Sequence, residues 1–114
     1  MTYRVTIIYC SQCRWLLRAA WMAQELLTTF GTDLEEVALR PGTGGIYEVH
    51  LNEELIFSRQ QAGRFPEAKE LKQLVRDRID PERNLGHSDR RPATVFTATV
   101  FTATGVPVIV TAHD

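Results

Sequence analysis

The chain lacks most of the features that assign small proteins to specialised classes. It has only two cysteines in 114 residues, Cys10 and Cys13, too few for the disulfide framework of a secreted domain or a closed four-ligand zinc site. Its net charge of −1 leaves no basic excess for nucleic acid or an acidic membrane surface. No signal peptide is recognisable, and no apolar run is long enough to span a membrane. These absences predict a cytoplasmic protein without nucleic-acid or membrane partners.

The two cysteines that are present stand at a predicted strand-to-helix boundary. An apolar segment rich in β-branched residues ends at Tyr9, Cys10-Ser11-Gln12-Cys13 follows, and helical spacing begins within this motif. A helix N-terminus offers free N–H groups and the positive end of a dipole, which favour a thiolate over a thiol. Thiols in such motifs titrate at about 7 or below, against about 8.5 for free cysteine. We therefore expect thiol–disulfide exchange, with Cys10 as the more exposed, attacking thiolate and Cys13 as the resolving thiol.

Residues around the motif are candidates for supporting roles. Ser11 and Gln12 lie between the cysteines, where side chains set the redox potential by hydrogen bonding to sulfur, and Ser11 is also the expected N-cap. The charge of Arg14 would favour the thiolates, although an arginine on the outer face of a helix is more often simply solvated. Trp15 and Trp21 are candidates for the border of a substrate groove, and Phe65 is a candidate for covering the motif as a loop aromatic. The alternatives are core packing for the two tryptophans and a hydrophobic staple for Phe65.

Hydrophobic periodicity predicts six elements in the order β-α-β-β-β-α. The strands are expected at 3–9, 34–40, 46–51 and 54–59, and the helices at 11–30 and from Pro66 to about Asp80. The first strand ends apolar on both faces, which is typical of a central, covered strand. The broad apolar face of the first helix indicates that this helix is largely covered, with Trp21 in the core. A parallel β-α-β unit followed by a hairpin and a helix predicts an α/β fold, with helices packed on one mixed sheet.

The C-terminal segment has a different character from the rest of the chain. Residues 82–93 are polar and are interpreted as a linker, whereas residues 95–99 and 100–104 are both Val-Phe-Thr-Ala-Thr. This repeat is strand-forming and poor in charge. We predict a domain at residues 1–90 and a tail at 91–114. The tail has three open alternatives: a hairpin at the sheet edge, self-association with a second copy, or disorder.

The histidines do not complete a metal site by their spacing. None of the three is placed as a partner of the two cysteines; they are His50, which is expected to face solvent, His87 and His113. We therefore expect no metal and no cofactor. A soft-metal carrier is the closest chemical alternative, but such proteins usually have a methionine shortly before the first cysteine, and this chain has Ile8 and Tyr9 there.

Three separated segments resemble one known family. They are residues 5–15 (VTIIYCSQCRW), 45–49 (GIYEV) and 63–67 (GRFPE), in the order seen in the selenoprotein W-related, Rdx-type family. The resemblance covers roughly residues 3–90 and implies a thioredoxin-like fold with a redox role. By position it aligns Cys10 with the first family cysteine and Cys13 with the site taken by selenocysteine or cysteine, which makes this chain a cysteine-containing homologue.

The residues and the resemblance together predict a thiol–disulfide oxidoreductase acting on a protein thiol or disulfide, with glutathione as a further candidate partner. A redox-sensitive interaction module and a soft-metal carrier are the alternatives. Thioredoxins place a cis-proline beside their disulfide, whereas no proline directly precedes Ile46 here. The backbone of Gly44 and Gly45 is expected to take that place.

Overall fold

A computed structural model describes residues 2–86 of the protein and the backbone of residues 96–101 and 107–112. The elements of the first part are β1 (Arg4–Cys10), α1 (Leu16–Phe30), a 3₁₀ turn (Gly31–Asp33), β2 (Glu36–Gly42), β3 (Tyr47–Leu51), β4 (Glu54–Ser58), α2 (Arg59–Ala62) and α3 (Ala68–Ile79). This order confirms the predicted β-α-β-β-β-α series. The short helix α2 is an addition, because a loop was predicted there.

The four strands form one mixed sheet in the order β2-β1-β3-β4. The central strand β1 is parallel to β2 and antiparallel to β3, and β3 forms the predicted hairpin with β4. Asn52 in the hairpin turn has a φ of 54°, a left-handed conformation that asparagine tolerates better than most residues. Its side-chain carbonyl accepts a 2.8 Å hydrogen bond from the N–H of Arg4, which ties the hairpin turn to the start of β1.

Both long helices lie on one face of this sheet. Helix α1 packs on β1 and β2, while α3 packs on β4 and on α1. Alternate side chains of β1 point into the layer between sheet and helices, where Val5 and Ile7 are fully buried. Leu26 of α1 and Leu71 of α3 are fully buried as well. This layer is therefore the hydrophobic core. Truncating either leucine to alanine would lower the free energy of unfolding by about 2–5 kcal/mol.

The opposite face of the sheet is open, contrary to the sequence-based expectation. Ile8 is only half-buried, and with Arg40 and His50 it borders an open cleft of about 570 Å³. Helix α1 is also less covered than predicted, since Leu17 is 83% exposed and Trp21 is 52% exposed. The placement of Trp21 in the core was therefore wrong. The sheet covers one side of α1 and α3 covers another side. The apolar face of α1 is broader than these two contacts, so part of it stays exposed.

The start of α3 differs slightly from its prediction. Glu67 is the N-cap and forms a capping box with Glu70, in which each side chain accepts a hydrogen bond from the other residue's backbone N–H. Pro66 therefore lies just before the cap instead of in the first turn. No helix in the described residues is both long and apolar enough to cross a membrane.

Residues 96–101 of the tandem repeat belong to a second, two-stranded sheet. Strand β5 (Phe96–Phe101) runs antiparallel to β6 (Pro107–Ala112), with Phe96 opposite Ala112 and Phe101 opposite Pro107. Among the described strands these two pair with each other and not with the edge of the first sheet. Because β5 contains parts of both repeat copies, the copies do not form two matched strands. The predicted linker beyond residue 86, the boundary at residue 90, His87 and His113 lie outside the described residues.

Candidate redox site

Cys10 and Cys13 are joined by a disulfide across a tight turn, with their Cα atoms 5.3 Å apart. Cys10 is the last residue of β1, and Cys13 lies in the turn that follows. The N–H of Arg14 donates to the carbonyl of Ser11 at 3.1 Å, and the N–H of Trp15 donates to the carbonyl of Cys10 at 3.3 Å. These bonds close the turn, so the predicted placement of the two sulfurs within bonding reach is confirmed.

The two cysteines differ sharply in exposure. Cys10 is 1% exposed, whereas Cys13 is exposed. The expectation that Cys10 would be the more exposed cysteine was therefore wrong. Cys10 belongs to the central strand, where it pairs with Gly42 and donates its N–H to the carbonyl of Ile46 at 2.8 Å. Cys13 lies beyond the end of the sheet, so a partner molecule reaches its sulfur first.

The helix begins later than the sequence pattern predicts. Helix α1 starts at Leu16, with Trp15 at the N-cap position and no side-chain cap, so Ser11 is not the N-cap. Arg14 has a φ of 60°, which is incompatible with a right-handed helix and separates the motif from α1. Since helix-dipole effects decline beyond the first turn, they act on the sulfurs less than expected. A closer group takes part of this role, because the N–H of Cys13 lies 3.3 Å from the Sγ of Cys10.

A backbone carbonyl of β2 holds the motif in place. Both the N–H and the hydroxyl of Ser11 donate to the carbonyl of Gly42, at 3.0 Å and 3.2 Å. A Cβ atom on Gly42 would lie 2.8 Å from Cγ2 of Ile46, so only glycine fits this approach without a shift. Gly42 and Ile46 thus supply the neighbouring backbone that was expected from Gly44 and Gly45. The Ser11 hydroxyl is directed to this carbonyl rather than to sulfur, and Gln12 is exposed on the turn.

An aromatic cluster borders the turn on the helix side. The ring of Phe65 meets Trp15 edge-on at a centroid distance of 4.8 Å and Tyr47 at 5.3 Å. The guanidinium carbon of Arg18 lies 3.9 Å from the centroid of Phe65. That of Arg59 lies 4.8 Å from the centroid of Phe65 and 4.9 Å from that of Trp15. Phe65 therefore packs against the tryptophan that directly follows the motif.

Sequence reasoning missed the two arginines of this cluster. Arg18 follows Trp15 by three residues, so the i, i+3 rule for helix neighbours offered a signal. Arg59 offered none, because it reaches the same rings from the end of the β3–β4 hairpin. Tyr47 was also missed, and its hydroxyl is buried without a hydrogen-bond partner in the described part of the protein. Burial raises the pKa of Tyr47 to about 12, although the charge of Arg18 acts in the opposite direction.

Within residues 2–86 and the two C-terminal strands, no group of three or more histidine, cysteine or acidic side chains is placed to hold a metal ion. His50 is half-buried on the open sheet face, with Nε2 3.0 Å from Oε1 of Glu48. Its partner is thus a carboxylate of its own strand rather than a cysteine.

Comparison with known proteins assigns this arrangement to a family. The model of the Rdx family matches residues 4–77, while a search of curated proteins gave no match. A solved protein from Bordetella parapertussis is 61% identical and superimposes with a TM-score of 0.68; the match covers 69% of this chain and 100% of that one. A selenoprotein W-related protein from Vibrio cholerae is 54% identical, with a TM-score of 0.68, 70% of this chain covered and 100% of that one. These matches confirm the resemblance and the thioredoxin-like fold, and the chain belongs to the Rdx family.

Proposed function

We propose that this protein is a thiol–disulfide oxidoreductase that cycles Cys10 and Cys13 between dithiol and disulfide. The observation that carries the proposal is the asymmetric pair, in which an exposed Cys13 sulfur is bonded to a buried Cys10 sulfur at the end of the central strand. The attacking role assigned to Cys10 from the sequence passes to Cys13 in this proposal. The reason is steric. A sulfur of the partner must approach in line with the disulfide bond that breaks, and it can reach the exposed Cys13 but not the buried Cys10.

The cycle transfers two electrons without any further cofactor. In the reduced protein, the Cys13 thiolate attacks a partner disulfide, forms a mixed disulfide and expels one partner thiolate. The Cys10 thiolate then attacks the Cys13 sulfur and expels the second partner thiolate. The partner is reduced to a dithiol, and the Cys10–Cys13 disulfide forms. The reverse sequence oxidises a partner dithiol, with Cys10 as the leaving thiolate, which the nearby N–H of Cys13 stabilises.

The partner is a protein thiol or disulfide in this proposal, with glutathione as a second substrate. We place the protein in the cytoplasm as part of the same proposal. The chain has only this one cysteine pair, and in a reducing compartment such a disulfide is usually transient and catalytic rather than structural.

A redox titration followed by mass spectrometry tests the cycle. We expect the intact chain to lose two hydrogen atoms, as two protons and two electrons, on forming the intramolecular disulfide, with a midpoint between about −350 and −150 mV. Cys10→Ser and Cys13→Ser are the matched controls, because neither can close the bond. A wild-type pair that stays reduced across the whole range would reject the oxidoreductase.

Trapping with single-cysteine variants tests the order of attack. In Cys10→Ser, the exposed Cys13 should form a stable mixed disulfide with a small neutral disulfide reagent, because no resolving thiol remains. Cys13→Ser, in which the remaining sulfur is buried, should react at least about tenfold more slowly, as expected where access limits exchange. Faster trapping at Cys10 would return the attacking role to Cys10 and leave the redox cycle intact.

A redox-gated interaction module is the second candidate, favoured by the exposed apolar side chains of α1. Leu17 is 83% exposed and follows Cys13 by four residues. Such a module would bind its partner in only one redox state of the cysteine pair. Partner binding that is equal in the wild type and in Cys10→Ser under oxidising and reducing conditions would remove this candidate.

A further inference from the structure

The arginines near the disulfide differ from most arginines elsewhere in the protein. Arg64 makes a bidentate pair with Glu70, Arg78 pairs with Glu54, and Arg83 pairs with Asp33. Arg14, Arg18 and Arg59 have no carboxylate partner in residues 2–86. Among the described arginines, only Arg40, on the open face of the sheet, shares this property. Three of the four arginines without a carboxylate partner in residues 2–86 therefore lie around the redox motif.

Aromatic rings hold two of these arginines in place instead of acidic side chains. Arg18 lies over the face of Phe65 at 3.9 Å, and Arg59 lies within 5 Å of the centroids of both Phe65 and Trp15. A stacked guanidinium keeps its charge, and the N–H groups at its edge stay available to a carboxylate. The Nε of Arg59 is buried and has no hydrogen-bond acceptor in the described protein, so the outer N–H groups of this guanidinium are those left for a carboxylate. Within residues 2–86, these two cations are thus held in position and have no anionic partner.

The third cation and the adjacent cleft extend this surface along the motif. Arg14 is exposed and directly follows Cys13, the sulfur that a partner reaches first. A cleft of about 400 Å³ lies between the loop at residues 43–48 and the segment at 58–60, which includes Arg59. Glu48, the acidic residue that borders this cleft, contacts His50. The cleft provides room for an extended chain, with Arg59 on its wall.

We propose that the redox partner presents its reactive sulfur in an acidic polypeptide segment, which docks on Arg14, Arg18 and Arg59. This inference rests on the proposed oxidoreductase function and specifies its substrate class. Oppositely charged surfaces raise association rates by about 10- to 1,000-fold at low salt. Acidic side chains of the partner would supply the carboxylates that these arginines lack, and its sulfur would be brought to Cys13.

The test compares exchange rates of the reduced full-length protein with three peptide disulfides of equal length. Each peptide carries one cysteine in a disulfide with the same chromogenic thiol, flanked by acidic, neutral or basic residues. At low ionic strength we expect the acidic peptide to react about tenfold faster than the neutral peptide and the basic peptide to react more slowly still. The advantage should largely disappear at about 0.5 M salt.

Charge variants assign the preference to this surface. The double variant Arg18→Gln with Arg59→Gln should lower the acidic-to-neutral rate ratio to within about threefold of unity, because the steering charge is removed. Arg18→Lys with Arg59→Lys should restore part of it. Arg40→Gln, which removes an equally unpaired charge from the sheet face, is the matched control and should keep the wild-type ratio. Circular dichroism of each variant verifies the fold.

The outcomes separate this inference from the function on which it rests. Failure of the wild type to exchange with any peptide would defeat the oxidoreductase itself. Exchange without an acidic preference, or a preference that survives the double glutamine variant, would overturn only the docking surface. Glutathione disulfide is the final probe: dependence on Arg18 and Arg59 with that small anion, but not with the acidic peptide, would also overturn the polypeptide partner.

Discussion

The buried phenol of Tyr47 predicts a specific loss of stability in alkaline solution. Its side chain is 1% exposed at the start of β3, and its hydroxyl has no hydrogen-bond partner among the described residues. Burial raises the pKa of Tyr47 from 10.0 to about 12 in the folded protein. Below about pH 10 the phenol is neutral in both the folded and the unfolded state. Between pH 10 and 12 the unfolded chain releases a proton that the folded chain retains, so the free energy of unfolding falls as the pH rises.

The size of this effect follows from the difference between the two pKa values. The pKa difference between the folded and the unfolded state corresponds to about 3 kcal/mol of unfolding free energy once the pH exceeds both values. At about pH 11 roughly half of this has been lost, and at about pH 9 almost none of it. Tyr47→Phe removes the titrating group and keeps the ring that packs against Phe65. The variant should also be at least as stable as the wild type at neutral pH, because an unsatisfied buried hydroxyl costs about 1–3 kcal/mol.

Urea unfolding at about pH 9 and pH 11 measures this difference. We expect the wild type to lose about 1 kcal/mol more than Tyr47→Phe between the two conditions. Tyr3→Phe, which removes a phenol that is only partly buried, is the matched control and should retain the wild-type loss. Equal losses in the wild type and Tyr47→Phe would refute the reasoning, since they would mean that the phenol ionises as easily in the folded protein as in the unfolded chain.

Three further perturbations follow from the geometry around the sheet. Gly42→Ala should lower the free energy of unfolding by about 1–3 kcal/mol because the new Cβ meets Cγ2 of Ile46. In a double-mutant cycle measured by urea unfolding, adding Ile46→Ala should make the double variant more stable than the sum of the two single effects predicts. Strict additivity of the two effects would contradict the clash. Asn52→Ala should cost about 2 kcal/mol and Asn52→Gly about 1 kcal/mol, since both lose the side-chain hydrogen bonds to Arg4 and Thr2 and only alanine strains the positive φ. An equal cost of the two substitutions by thermal unfolding would speak against the strain. A chain ending at Gly86 should keep the wild-type urea midpoint, because the Vibrio and Bordetella relatives are matched over their whole length by about 70% of this chain; a loss above ~1 kcal/mol would show that the tail stabilises the domain.

Much of the fold was predictable because its signals are local. Alternation in β1, helical spacing in α1 and the Asn52-Glu53 turn each depend on residues close together in the chain, and all three elements were found. The cysteine pair was equally local, since a spacing of three residues after a strand brings two sulfurs together in almost any turn. Family-specific segments then linked these elements to the thioredoxin-like arrangement.

The remaining features depend on residues that are distant in sequence and meet only after folding. Periodicity shows that α1 has a broad apolar face, but whether Trp21 is buried depends on how many layers cover the helix. Among the described elements, the four-stranded sheet and α3 cover α1. Likewise, the motif alone does not show which cysteine is accessible. Cys10 is buried because its strand is central and Gly42 and Ile46 close over its backbone, while Arg59 reaches Trp15 through a hairpin that starts more than thirty residues later. The chemistry of the two sulfurs was therefore determined by their spacing in the chain, and the accessibility and electrostatic surroundings of each were decided by tertiary packing.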